Sequence, residues 1–179
     1  MNMDQEAKRL WDLCTRFHGH ECGGVAVGFQ AARYAWELLE LDCRAADEEI
    51  VCVAENDACG VDAIQVILGC TVGKGNLIFD LQGKFAYSFY RRDTGKSLRL
   101  VLRSTPELTK DQRRQWLMEG DYHDMFDVKP VPYPVPEPAR IFKNVTCSLC
   151  GERMAETHAH LQNGELVCDR CLRPYTRRF

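Results

Sequence analysis

Residues 50–80 read IVCVAENDACGVDAIQVILGCTVGKGNLIFD. The run from Ile50 to Glu55 is short, apolar and rich in β-branched residues, which predicts a buried strand. After Cys59-Gly60, VDAIQVILGC carries helical periodicity, and NLIFD reads as a second strand. Further along, KFAYSFYRR and SLRLVLR read as strands too, separated by turn signals at Gln82-Gly83 and Asp93-Thr94-Gly95-Lys96. These segments predict an antiparallel meander. Toward the N-terminus, Leu10, Trp11, Cys14 and Phe17 share one face of a helix over residues 4–17. Val25, Phe29, Ala32, Trp36 and Leu39 share a face of a second helix, so FHGHECGG between them is a helix-to-helix junction. A fourth helix is expected from Thr105 as N-cap, with Pro106 in its first turn, to Gly120. The fold class is therefore α+β, with helices packed on an antiparallel sheet. A small cysteine-rich tail domain follows.

The chain has 179 residues, 45% of them hydrophobic and 27% charged, enough to bury a real core. No apolar run approaches the roughly 20 residues that span a bilayer. The start, MNMDQEAKRLWDL, lacks the apolar stretch of a signal peptide, so a cytoplasmic location and no membrane association are expected. In a reducing compartment, ten cysteines point to metal or redox chemistry rather than disulfides. The net charge of −3 is uneven, since residues 139–179 hold seven Lys/Arg against four Asp/Glu. Thiolates on a metal would cancel most of that surplus, and nucleic acid is not the expected partner.

Three regions follow: a main domain over 1–126, a proline-rich linker over 127–142 and a tail domain over 143–179. The linker, DVKPVPYPVPEPAR and its flank, contains five of the seven prolines. As polyproline II at about 3.1 Å per residue it could carry the tail some 30 Å, to a partner subunit, or lie along its own domain. In the tail, Cys147-Ser-Leu-Cys150 and Cys168-Asp-Arg-Cys171 are two C-x2-C pairs with seventeen residues between them. That spacing suits a structural, four-thiolate zinc site. Asn163-Gly164 marks a hairpin between the pairs, and His158 and His160 are read as hairpin residues because sulfur already completes the tetrahedron.

A second constellation lies in the junction. His18, His20 and Cys22 alternate just before a helix start, and Cys59 precedes another about forty residues later. Two helix N-termini carrying His and Cys could converge on one metal with an open position for water or substrate. The bland alternatives are a capping His pair and an inert, buried Cys59. Cys43, Cys52 and Cys70 read as small core residues, as do Trp36, Tyr87, Phe89 and Trp116 as core or interface. Arg91-Arg92 read as a solvated hairpin end. Gly73-Lys74-Gly75 lacks the rest of a phosphate-binding loop and reads as a turn whose Lys74 could face the site.

FHGHECGGVAVGFQAARYA, NDACGVDAIQVILGCTVGKGNLIFD and the strand pair from Tyr90 to Arg103 resemble the FmdE family of formylmethanofuran dehydrogenase subunits over about residues 10–120. The tail resembles the zinc-ribbon extension of bacterial members. The resemblance implies an α+β domain, a homodimer, and a metal site at His18, His20 and Cys59 with Asp62 behind the ligands. Cys22 is read as an accessory thiol. The second metal would be zinc or another transition metal. Cys59, His20 and Asp62 are the residues expected to act in catalysis, with Asp62 or Glu21 handling protons while the metal polarises a carbonyl or activates water. A small-molecule substrate or a partner oxidoreductase subunit is expected; metal or cofactor delivery, and a zinc-ribbon adaptor, are the rival functions.

Overall fold

The computed structural model describes residues 5–104 and 107–177, apart from the side chains of residues 110, 111 and 114. The chain divides into two units, one running to Ala139 and one beginning at Arg140.

In the first unit, β1 (Ile50–Ala54) is buried at every position. Its neighbours are β2 (Leu77–Phe79) on one side and β3 (Ala86–Arg91) on the other, and the sheet continues through β4 (Ser97–Leu102) and β5 (Phe126–Lys129). β2 runs parallel to β1, with Cys52 opposite Leu77, whereas β1–β3, β3–β4 and β4–β5 are antiparallel. This corrects the expected meander at its first strand. A parallel neighbour needs a crossover, and α3 (Gly60–Leu68) supplies it. NLIFD therefore returns to the far side of β1 instead of joining KFAYSFYRR.

The continuous burial of β1 follows from cover on both faces. Ile50, Cys52 and Ala54 belong to the main core, while Val51 and Val53 cluster with Tyr90, Ile78, Val131 and Tyr133. The last two come from the proline-rich segment. Tyr90 donates its hydroxyl to the Tyr133 carbonyl at 3.0 Å, and Arg92 Nη1 donates to the Pro136 carbonyl at 2.9 Å. The Ala139 amide reaches the Glu48 carboxylate at 3.0 Å. The segment thus lies along its own unit, and its first residues, assigned to a linker from 127, form the end of β5.

Helices α1 (Gln5–His18) and α2 (Gly23–Leu38) pack with α3 over the other face of the sheet. Val25 to Ala32 are buried without a break, so α2 is the central helix rather than a surface one. Trp11 and Cys14 are buried on α1, but Phe17, placed on the same face by periodicity, is 59% exposed at the helix end. Cys52 and Cys70 are core residues as expected, whereas Cys43 is exposed. Tyr87 and Phe89 are fully buried; Trp36 and Trp116 pack partly buried against the core.

Arg91 and Arg92 are structural ties. Arg91 donates to the Leu39 carbonyl and Arg92 to the Glu48 carbonyl. Thr105 and Pro106 lie outside the described residues. The helix expected there, α4 (Lys110–Glu119), has Thr109 as N-cap, in a reciprocal capping box with Gln112. A single turn, α5 (Tyr122–Met125), then leads into β5. No helix among the described residues is long and apolar enough to cross a membrane.

The second unit is built from two hairpins, β6 (Asn144–Thr146) with β7 (Arg153–Ala155), and β8 (Ala159–Gln162) with β9 (Glu165–Cys168). Asn163 and Gly164 both take positive φ, 54° and 85°, which the tight turn of the second hairpin requires.

Candidate metal centres

In the tail, ligand atoms of Cys147, Cys150, Cys168 and Cys171 all lie within 4.8 Å of one another. Cys147 follows β6, and Gly151, at φ 75°, turns the chain so that its amide donates to the Cys147 carbonyl at 2.9 Å. The Cys168 amide donates to Cys147 Sγ at 3.4 Å. Amides of Cys150 and Cys168 pull the Cys147 thiol down to about 6, which favours the thiolate a metal needs. Four sulfurs on two such turns make a closed tetrahedral donor set, and the cluster fits a zinc ribbon. His158 and His160 both bond to Asp169, at 3.1 and 2.6 Å. They brace the second hairpin against the Cys168–Cys171 turn.

In the first unit, three elements converge. α1 ends at His18, and Gly19, at φ 94°, reverses the chain with its amide still bonded to the Thr15 carbonyl. His20 and Glu21 lead to Cys22, the extended N-cap of α2, whose Sγ accepts from the Val25 amide at 3.4 Å. His18, His20 and Cys22 bring their ligand atoms within 4.8 Å of one another. His18 Nε2 is 3.7 Å from Cys22 Sγ, and the two imidazole rings lie 4.6 Å apart.

From the first turn of α3, Asp62 Oδ2 meets His18 Nδ1 at 2.7 Å, while Gln65 holds the other carboxylate oxygen at 3.2 Å. A proton on Nδ1 shared with Asp62 leaves Nε2 as the lone-pair nitrogen, directed to the cluster. Carboxylate, imidazole and ligand position in that order are what metal-binding histidines use. The donor set of two imidazoles and one thiol suits a borderline transition ion, and the half-exposed setting leaves room for a further ligand.

Cys59, the N-cap of α3, stands outside that group of three, and its sulfur and that of Cys22 both lie near Gly24. Burial, and then the Cys22 thiol, push the Cys59 thiol up. Its loop is held by Asn56, which accepts from the Ala58 amide at 3.2 Å and donates to the Lys84 carbonyl at 2.7 Å. Next to it, buried Glu55 pairs through both oxygens with Arg99, at 2.5 and 2.8 Å. Glu21 accepts from Trp11 Nε1 at 3.4 Å. Lys74 does not face the cluster, because its ammonium donates to the Ala45 carbonyl at 3.0 Å.

The structure brings His18, His20 and Asp62 together, and groups Cys22 rather than Cys59 with the two histidines. The signal was present in the four-residue step from His18 to Cys22, across one helix end and the next helix start. Sequence reasoning missed a different cluster altogether. Glu37 accepts from Tyr122 at 2.7 Å and meets His123 at 2.9 Å, beside a cavity of about 450 Å³ lined by Leu10, Arg33, Trp36 and Ile67.

A family model described as "FmdE, Molybdenum formylmethanofuran dehydrogenase operon" matches residues 17–127, the whole stretch from the His-Gly-His junction into β5. The chain belongs to the FmdE family. A curated relative from Archaeoglobus fulgidus, named a probable S-adenosyl-L-methionine-binding protein, is 30% identical over 97% of this chain and 55% of its own length. The chain therefore spans about half of that relative. A tungsten formylmethanofuran dehydrogenase FmdE-like protein from Syntrophus aciditrophicus has the same fold. It is 22% identical with a TM-score of 0.67, over 92% of this chain and 91% of that one.

Proposed function

We propose that this FmdE-family protein binds a transition metal ion through His18, His20 and Cys22, and presents it to a small ligand. In this reading it serves a molybdenum- or tungsten-type oxidoreductase system, as a metal-dependent enzyme or an accessory subunit. The observation that carries the reading is the bond between Asp62 and His18 Nδ1, at 2.7 Å. It orients the imidazole and fixes its tautomer, work that a solvated surface histidine does not need. A bound ion would act as a Lewis acid toward a carbonyl or other oxygen of the ligand. Asp62 is then a positioning residue, since both its oxygens are engaged by His18 and Gln65. His20, the exposed member of the set, faces the side from which a ligand arrives.

The four cysteines of the tail hold a structural zinc in the same proposal. They supply the stability that so small a unit cannot obtain from its core. The description of the matched family supports the oxidoreductase context. The name of the Archaeoglobus fulgidus relative makes S-adenosyl-L-methionine the first small molecule to test by calorimetry.

Elemental analysis of purified protein tests the reading. Wild type should carry about two metal ions per chain, and His18→Ala and Cys147→Ser about one each. A single ion in wild type, unchanged by His18→Ala, would sink the first-unit site. Exchange of that ion with a chelator in minutes, while the tail ion stays bound, would move the function from catalysis to metal delivery.

A further inference from the structure

Cys22 and Cys59 precede two helices whose backbones touch. A Cβ on Gly24 would stand 2.9 Å from Cys59 Cβ, 3.4 Å from Cys59 Sγ and 3.7 Å from Cys22 Sγ. The two sulfurs therefore flank the same small gap, which only glycine keeps open. Both thiols are partly exposed. The other cysteines of the first unit differ: Cys14, Cys52 and Cys70 are fully buried, and Cys43 is exposed.

We propose that Cys22 and Cys59 form a reversible disulfide, and that its formation takes Cys22 out of the cluster with His18 and His20. The first half stands on the two thiols alone; the second rests on the metal reading above. The oxidant is a small-molecule disulfide of the glutathione type. One cysteine thiolate attacks a sulfur of that disulfide, forming a mixed disulfide and expelling a thiolate that takes up a proton. The second cysteine thiolate then attacks the protein sulfur of the mixed disulfide, closing the Cys22–Cys59 bond and expelling the second small thiol. Two protein thiols and one small disulfide become one protein disulfide and two small thiols, so atoms and electrons balance. Once closed, the bond removes the thiolate donor, leaving two imidazoles that hold an ion more weakly.

The protein, metal-loaded as purified, is treated with glutathione disulfide and digested without reduction, and the linked peptides are identified by mass. The expected product joins Cys22 to Cys59 and disappears on adding dithiothreitol. Cys59→Ser should instead trap glutathione on Cys22, because the resolving thiol is gone, while circular dichroism reports that this variant is folded. Absence of the Cys22–Cys59 link in a folded wild type would overturn the proposal, as would a Cys22 thiol that stays free in Cys59→Ser.

Metal content, read in parallel, separates the two halves. Oxidised wild type should lose about one equivalent of metal per chain and regain it after reduction. A linked protein that keeps its ion would refute the coupling. A linked protein that never carried the first-unit ion would refute the metal reading of the previous subsection and leave the disulfide established.

Discussion

Gly28 of α2 and Gly60 of α3 meet backbone to backbone. A Cβ on Gly28 would overlap the carbonyl of Gly60, and a Cβ on Gly60 would come within 3.0 Å of the Gly28 nitrogen and 2.8 Å of the Tyr87 hydroxyl. This approach sets the distance between the two helix starts. α2 begins one residue after Cys22 and α3 one residue after Cys59, so the glycine pair is what holds the two thiols and Asp62 against the His-Gly-His junction.

Gly28→Ala should therefore be costly. The atom it meets is backbone, which cannot rotate away, and overpacking of this kind costs about 3 kcal/mol. The main thermal transition should fall by several degrees, and metal retention should weaken with it because the helix starts are forced apart. Calorimetry and metal analysis on one preparation check both effects.

Asp62→Asn tests the orienting role separately from folding. The amide keeps the size of the carboxylate but removes its charge, so His18 is left with at most a neutral acceptor for its Nδ1 proton. Affinity for the first-unit metal should drop about 10- to 100-fold, measured by chelator competition. The melting temperature of the metal-free protein should change little, and the tail metal should be unaffected.

His123 gives a pH-dependent contribution to stability. Hydrogen bonds to Glu37, and then to Asp121, raise its pKa above the usual value. Bonds from Tyr122 and His123 lower Glu37, and the backbone and ring of His123 lower Asp121. The raised histidine stabilises the fold fully below its unfolded pKa, about 6.5, and the contribution is lost as pH rises through the folded value. The lowered carboxylates contribute above their unfolded values, about 4, and lose that as pH falls through the folded ones. The cluster should matter most near pH 5–6, as a rough window. The side chains of His123 and Glu37 are 46% and 48% exposed, so solvent screening keeps the effect under about 1 kcal/mol. Urea midpoints of His123→Gln and wild type should differ near that window and converge at about pH 9.

Local pattern carried most of the elements. The β-branched run at 50–54, the helical spacing of 61–68 and the Asn163-Gly164 turn each state their conformation in a few residues, because strand, helix and hairpin preferences are short-range. The two C-x2-C pairs likewise specify their own turns and sulfur geometry. β5 and α5 escaped notice because Asp127-Val-Lys precedes a proline run and Tyr122–Met125 is a single turn; both are fixed by what they pack on.

The sequence by itself determined that helices cover a mainly antiparallel sheet, that four cysteines in the tail form one cluster, and that His18 and His20 mark the junction of two helices. Only the tertiary structure decided which strand neighbours which. The parallel return of Leu77–Phe79 to β1 depends on where α3 packs, and nothing within the strand encodes that. The same holds for the site. Asp62 reaches His18 across 44 residues, and Cys22 comes near both His18 and Cys59, because two glycines let α2 and α3 touch. Residue types announced the chemistry, but their distances are set by helix packing, which the chain expresses only when folded.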